Sequence, residues 1–360
     1  MKKPFEYEKE YTEALNALHF SKEIKERLAE KLIREEISGG TKKHKQHTHR
    51  LPKLAVAGLA AALVLFVSAS AYGIMDASEA LRGVFGPTAD TEIIDKIGRP
   101  IGASATDNGV TITADAVMCD GYNFAITYSI ARDDGTAFDI AQVDGNSGLL
   151  DVFFGMENTN FGTFSGSHGS SYFYDADPGD HTIQYVEKWS YDEPVNPGKT
   201  VKVTFNDLKT SAGTGDNSDS FRTIAQGTWT LKFEMNFETL SAELPAGQSF
   251  ELNSMVGTIN SVMVSPLGYR FEYTLNDKAR FDEAPNGKSP DQHGQEWAKF
   301  DVPRSLNLSD GTVYDLSEGG GSIDTTGDKT ICIRSGVFDE IIPLEKIVSV
   351  NIGGVDIPVQ

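Results

Sequence analysis

The sequence predicts a mainly β protein: a short helical head, one membrane-crossing helix, then two tandem antiparallel β-sandwich domains of immunoglobulin-like type. Three observations carry this. Residues 54–75, LAVAGLAAALVLFVSASAYGIM, hold no charge. From about residue 109 the apolar residues recur with a period of two, as in strands with one face on a core and one in water. Turns rich in Gly and Asp punctuate that alternation.

The head, residues 1–40, reads as two amphipathic helices. Tyr7, Tyr11, Ala14, Leu15 and Leu18 share one face of the first. Ser21 is placed to cap the second, in which Ile24, Leu28 and Leu32 recur every four residues. Glu23 and Glu30 stand four residues before Arg27 and Arg34, the favourable order for helical ion pairs. Gly39-Gly40 ends the segment. Helices this short bury little surface alone, so their apolar stripes require a partner. Leu15, Leu18, Ile24, Leu28 and Leu32 are the candidate partner-binding residues.

Residues 41–53, TKKHKQHTHRLPK, are basic and contain no acid. The apolar run that follows spans about 33 Å as a helix, enough for a hydrocarbon core of about 30 Å. Asp76 and Glu79 open the far side, so the charge asymmetry places the N-terminus inside and residues 76–360 outside a cell membrane. Polybasic residues at 41–53 suit anionic lipid. Ala69-Ser70-Ala71 resembles a signal cleavage site, but 53 residues precede the apolar core, far more than an ordinary signal peptide has. Gly58 and Ala62 form a small-xxx-small pair, a weak signal for helix pairing.

Residues 76–99 form a connector of two short helices, the first capped by Ser78 and the second by Thr88 or Asp90 and ending at Gly98, with Ile93, Ile94 and Ile97 as an apolar edge. The first sandwich is expected over 100–243 and the second over 248–360, with the boundary at Leu244-Pro245-Ala246-Gly247. Val201, Val203 and Phe205 alternate with polar residues, as do Trp229, Leu231, Phe233, Met235 and Phe237, and Tyr269, Phe271 and Tyr273. Asp107-Asn108-Gly109, Asp133-Asp134-Gly135, Asp144-Gly145-Asn146 and Ser309-Asp310-Gly311 supply turns. An internal echo links the two halves. Val117-Met118 precedes Gly121-Tyr122-Asn123-Phe124, and Val262-Met263 precedes Gly268-Tyr269-Arg270-Phe271. Duplicated domains explain it; so does chance similarity between two aromatic hairpins.

Residues 1–53 carry a net charge of +4 and residues 76–360 a net charge of −24. So acidic a body is a poor partner for nucleic acid. No metalloprotease, phosphate-loop or nucleophile-elbow motif is present, so no enzyme activity and no cofactor are expected. Ser167-His168 reads as part of a Gly- and Ser-rich loop, not a catalytic pair. Asp175-Ala176-Asp177-Pro178-Gly179-Asp180 and Asp216-Asn217-Ser218-Asp219 read as solvated turns, since neither matches a calcium loop. His44, His47 and His49 lie among cations that oppose a metal. Cys119 and Cys332 fall in apolar runs and are expected to be buried free thiols. Tyr172, Phe173, Tyr174, Trp189 and Tyr191 could form a glycan platform, though core packing explains such residues in most β proteins.

The stretch GRPIGASATDNGVTITADAVMCDGYNFAITYSI at 98–130, GTWTLKFEMNF at 227–237, VGTINSVMVSPLGYRFEY at 256–273 and VNIGGVDIPV at 350–359, with the head–basic stop–span–ectodomain layout, resemble an uncharacterised family of Gram-positive single-pass membrane proteins encoded beside extracytoplasmic-function sigma factors. The resemblance implies a membrane-anchored anti-sigma factor or envelope-signal sensor, with a sigma factor as cytoplasmic partner. It assigns no site residue. The competing class is an adhesive surface protein whose sandwiches bind cell-wall glycan. Two patterned helices in the head favour regulation.

Overall fold

The computed structural model describes residues 77–86, 91–140, 142–143, 148–161, 166–211, 221–281 and 291–359. The head, the basic segment and the apolar run at 54–75 lie outside the described residues, as do Asp144-Gly145-Asn146 and Asp216–Asp219. Among the described residues, no helix is long and apolar enough to cross a membrane.

Two short helices come first, α1 (Ala77–Phe85) and α2 (Thr91–Ile97). The second lies where Ile93, Ile94 and Ile97 predict it, and all three are buried. It runs directly into β1 (Gly98–Asp107), β2 (Val110–Cys119) and β3 (Asn123–Arg132). Asn108-Gly109 makes the first hairpin turn with positive φ at both residues, the conformation that fits strand twist. Then follow β4 (Leu149–Leu150), β5 (Phe153–Thr159), β6 (Ser167–Tyr174), β7 (Ile183–Tyr191), β8 (Lys199–Ser211) and β9 (Phe221–Met235). One sheet has the order β1-β2-β3-β7-β6-β4, and β5-β8-β9 form a second. All pairings are antiparallel. Trp229, Tyr128, Phe124, Phe205 and Leu231 fill one core drawn from both sheets. On β9 the predicted alternation holds, with Trp229, Leu231, Phe233 and Met235 buried and Thr230, Lys232 and Glu234 exposed.

The second lobe repeats this plan. Its strands are β10 (Ala242–Leu244), β11 (Ser249–Leu252), β12 (Met255–Val264), β13 (Gly268–Leu275), β14 (Arg304–Leu308), β15 (Val313–Asp315), β16 (Gly320–Thr326), β17 (Lys329–Val337), β18 (Ile347–Ile352) and β19 (Val355–Pro358), with helix α3 (Asp291–Lys299) between β13 and β14. One sheet runs β10-β12-β13-β17-β16, with β11 also on β12, and the other runs β15-β14-β18-β19. The order β1-β2-β3-β7-β6 thus recurs as β10-β12-β13-β17-β16, and β5-β8-β9 as β14-β18-β19. Matching connectivity gives the hairpin echo a structural meaning: both copies are the hairpin of the second and third strands. Strand β10, which ends at Leu244 of the Leu244-Pro245-Ala246-Gly247 stretch, pairs with β12. Phe271, Tyr273, Phe300, Leu306 and Val350 are among the fully packed side chains of the second core.

Both cysteines are free and buried. Burial pushes the Cys332 thiol up to about 11, and burial with the neighbouring Asp120 charge pushes Cys119 well above its ordinary value.

Candidate functional site

The two echo hairpins meet each other. The Asp120 carboxylate accepts from the backbone N–H groups of Tyr122 and Asn123 through Oδ1, at 2.9 and 2.7 Å. Through Oδ2 it accepts from the Asn123 amide at 2.9 Å and from the Ser265 hydroxyl of the second lobe at 2.6 Å. Asp120, Asn123, Ser190 and Ser265 are all buried, and Ser190 donates to Asn123 Oδ1 at 2.6 Å. Asp120 and Ser265 occupy equivalent positions, each two residues after the Val-Met pair. The flanking contacts cross over. Arg270 lies 4.7 Å over the Tyr122 ring, while the Asn123 amide reaches the Tyr269 carbonyl at 3.4 Å. Tyr122 matches Tyr269 and Asn123 matches Arg270, so the joint has the reciprocal form of a two-fold interface. Asp120 thus both holds its own turn and joins the lobes. Asp120→Ala is expected to cost about 2–3 kcal/mol, because it strands buried donors on both sides. Urea denaturation of the chain from residue 76 onward checks this.

Beside the joint, β6 and β7 face β16 and β17 across a cavity of about 410 Å³, lined among others by His168, Lys188, Tyr269, Tyr314, Glu318 and Asp339. His168 is a strand residue, not the loop residue that the Gly and Ser content predicts. Its Nε2 bonds the Ser335 carbonyl of the second lobe at 2.9 Å. Gly320 makes room for the ring: a Cβ there would lie 2.5 Å from the imidazole. Burial lowers the His168 pKa, so the ring favours its neutral form. Lys188 is 8% exposed. Its ammonium lies 3.5 Å from the Phe338 carbonyl, 3.7 Å from Asp339 Oδ1 and 5.1 Å from the Phe85 ring. Burial lowers its pKa, partly opposed by Asp339.

A third apolar cluster ties the helices to both lobes. Leu81, Val84, Phe85, Ile94 and Ile97 of α1 and α2 pack with Met118, Ala125 and Val186 of the first lobe and Leu267 and Ile341 of the second. Tyr174 presses its hydroxyl against Gly83, where a Cβ would come within 2.0 Å of it. On β2, beneath α1, Asp115 is the extra residue of a bulge between Ala114 and Ala116 and accepts from Ser129 Oγ at 2.7 Å. Burial raises its carboxyl to about 7.

Leu15, Leu18, Ile24, Leu28 and Leu32 lie outside the described residues, as do His44, His47, His49, Gly58 and Ala62. Of the aromatic residues considered for a glycan platform, Phe173 is core, Trp189 and Tyr191 pack against that core, and Tyr172 and Tyr174 pack against the helix cluster. Asp177 and Asp180 accept from the backbone N–H groups of Gly179 and Thr182, as turn residues do. Among the described residues, no three of His, Cys, Asp and Glu group as metal ligands.

Several buried charges escaped sequence reasoning. Glu187 sits on the core side of β7 and accepts from Tyr128 OH at 2.7 Å, while Tyr185 OH donates to Glu157 at 2.7 Å. Burial, then the nearby Glu157 charge, pushes the Glu187 carboxyl well above its ordinary range. In the second lobe, Arg304 and Arg334 both donate to Asp301 Oδ1 at 2.7 Å.

Residues 47–132 match the model of a family described as a domain of unknown function (DUF4179). That match runs from the basic segment through the apolar run, both helices and β1–β3. No curated protein matches the chain. Among solved structures, the crystal structure of the conserved domain protein from Bacillus anthracis is similar over 70% of this chain and 75% of its own, at 14% identity and a TM-score of 0.45.

Proposed function

We propose that the chain is a single-pass membrane protein that holds an extracytoplasmic-function sigma factor on its cytoplasmic head and reports an envelope condition through two tandem immunoglobulin-like sandwiches outside. Residues 54–75 cross the bilayer in this reading. The supporting observation is the seat of α1. The helix starts two residues after the apolar run ends and packs into the cluster that also holds Leu267 and Ile341 of the second lobe. A change in how the lobes meet therefore reaches the chain that enters the span. The head binds as amphipathic helices laid in a groove, with Leu15, Leu18, Ile24, Leu28 and Leu32 as anchors.

The test is affinity purification of the tagged full chain from membranes. A sigma factor should co-purify, and Leu28→Asp should lose it while membrane abundance is unchanged. If no sigma factor is recovered and the protein instead retains cell-wall glycan, the adhesive reading replaces this one.

A further inference from the structure

We propose that the cavity between the lobes binds a small zwitterion of the amino-acid or short-peptide class, its carboxylate on Lys188 and its ammonium on Glu318 and Asp339. This goes beyond the sensor reading and is measured on the chain alone, so it does not depend on a sigma factor.

The cavity, about 410 Å³, has the size of small-ligand sites and lies where such sites concentrate, between packed modules. Lys188 carries three N–H donors, and its oxygen contacts of 3.5 and 3.7 Å are longer than an ordinary hydrogen bond. A nearly buried ammonium so loosely satisfied gains from a carboxylate placed in the cavity it lines. A simple anion would also meet Asp315, Glu318 and Asp339, which line the same cavity. A simple cation would meet Lys188. A zwitterion satisfies both. Asp315 is already engaged by the Ser317 N–H and hydroxyl at 3.0 and 2.7 Å, which leaves Glu318 and the 97%-exposed Asp339 for the ammonium. Tyr314 and Phe338 supply an aromatic wall, and Gly169, Gly319 and Gly336 also line the cavity.

The experiment is calorimetric titration of the full chain in detergent with alanyl-alanine, N-acetyl-alanyl-alanine and alanyl-alanine amide. The free dipeptide should bind, and each blocked form should bind at least about tenfold more weakly, the loss of one charged contact. Lys188→Met should erase the difference between dipeptide and amide. Glu318→Gln with Asp339→Asn, both at exposed positions, should erase the difference between dipeptide and N-acetyl form, which keeps the test decisive if Lys188→Met misfolds. Absence of dipeptide binding, or equal binding of all three probes, overturns the proposal.

Discussion

Replacing Asp301 with alanine is expected to destabilise the chain by about 3–5 kcal/mol, the cost of leaving buried charge without its counter-ion. Asp301 is the carboxylate between two arginines with almost no exposed surface. Arg334 Nε and Arg304 Nη1 both reach its Oδ1 at 2.7 Å. Other donors go to carbonyls: Arg304 to Leu316, Val302, Ser317 and Gly319, and Arg334 Nη1 to Ser322 and Ile333. Trp297 covers Arg334 at 4.6 Å. Arg334 Nη2 is buried with no hydrogen-bond partner among the described residues, so this guanidinium has no spare satisfaction to fall back on. Equilibrium urea denaturation of the chain from residue 76 onward gives the figure, and Asp301→Glu should recover part of it.

Asp115→Asn is expected to stabilise the same fragment by about 4 kcal/mol at pH 8 and to change little at pH 4. The folded carboxyl titrates at about 7, against an ordinary 3.8. A raised folded pKa means that the unfolded state ionises first as pH rises. Stability is therefore full below pH 4, falls between 4 and 7, and stays reduced above. Asparagine keeps an acceptor for Ser129 without the charge, so the variant should lack this part of the slope. Glu187 has the same sign and will leave a residual slope. Thermal melts of both proteins from pH 4 to 8 measure the difference.

The strands were legible where one face meets water. On β8, Val201, Val203 and Phe205 are buried while Lys202 is exposed, as the alternation dictates. Strand β17 carries a buried charge that no alternation signals. Cys332 is buried as expected, but Arg334 shares its face and is buried with it, while Ile331 and Ile333 are only half-buried. The counter-ion that permits this, Asp301, stands 33 residues away. On strand β7, Glu187 and Lys188 are adjacent and both buried, because one faces the first core and the other the second lobe and α1. Periodicity reads a single solvent boundary, and β7 has none. The candidate cavity was illegible because its residues come from β6, β7, β13, the segment 314–320 and the end of β17 with Phe338 and Asp339 after it, although the hairpin echo beside it was visible as sequence.

Calorimetric unfolding of the chain from residue 76 onward tests most directly whether both lobes and the helix pair act as one body through Asp120–Ser265 and the cluster around Leu81. One transition is expected, with calorimetric and van't Hoff enthalpies in a ratio of about one, and Asp120→Ala should split it or lower it as a whole. Two independent transitions in the unaltered chain, neither moved by Asp120→Ala, would contradict the account.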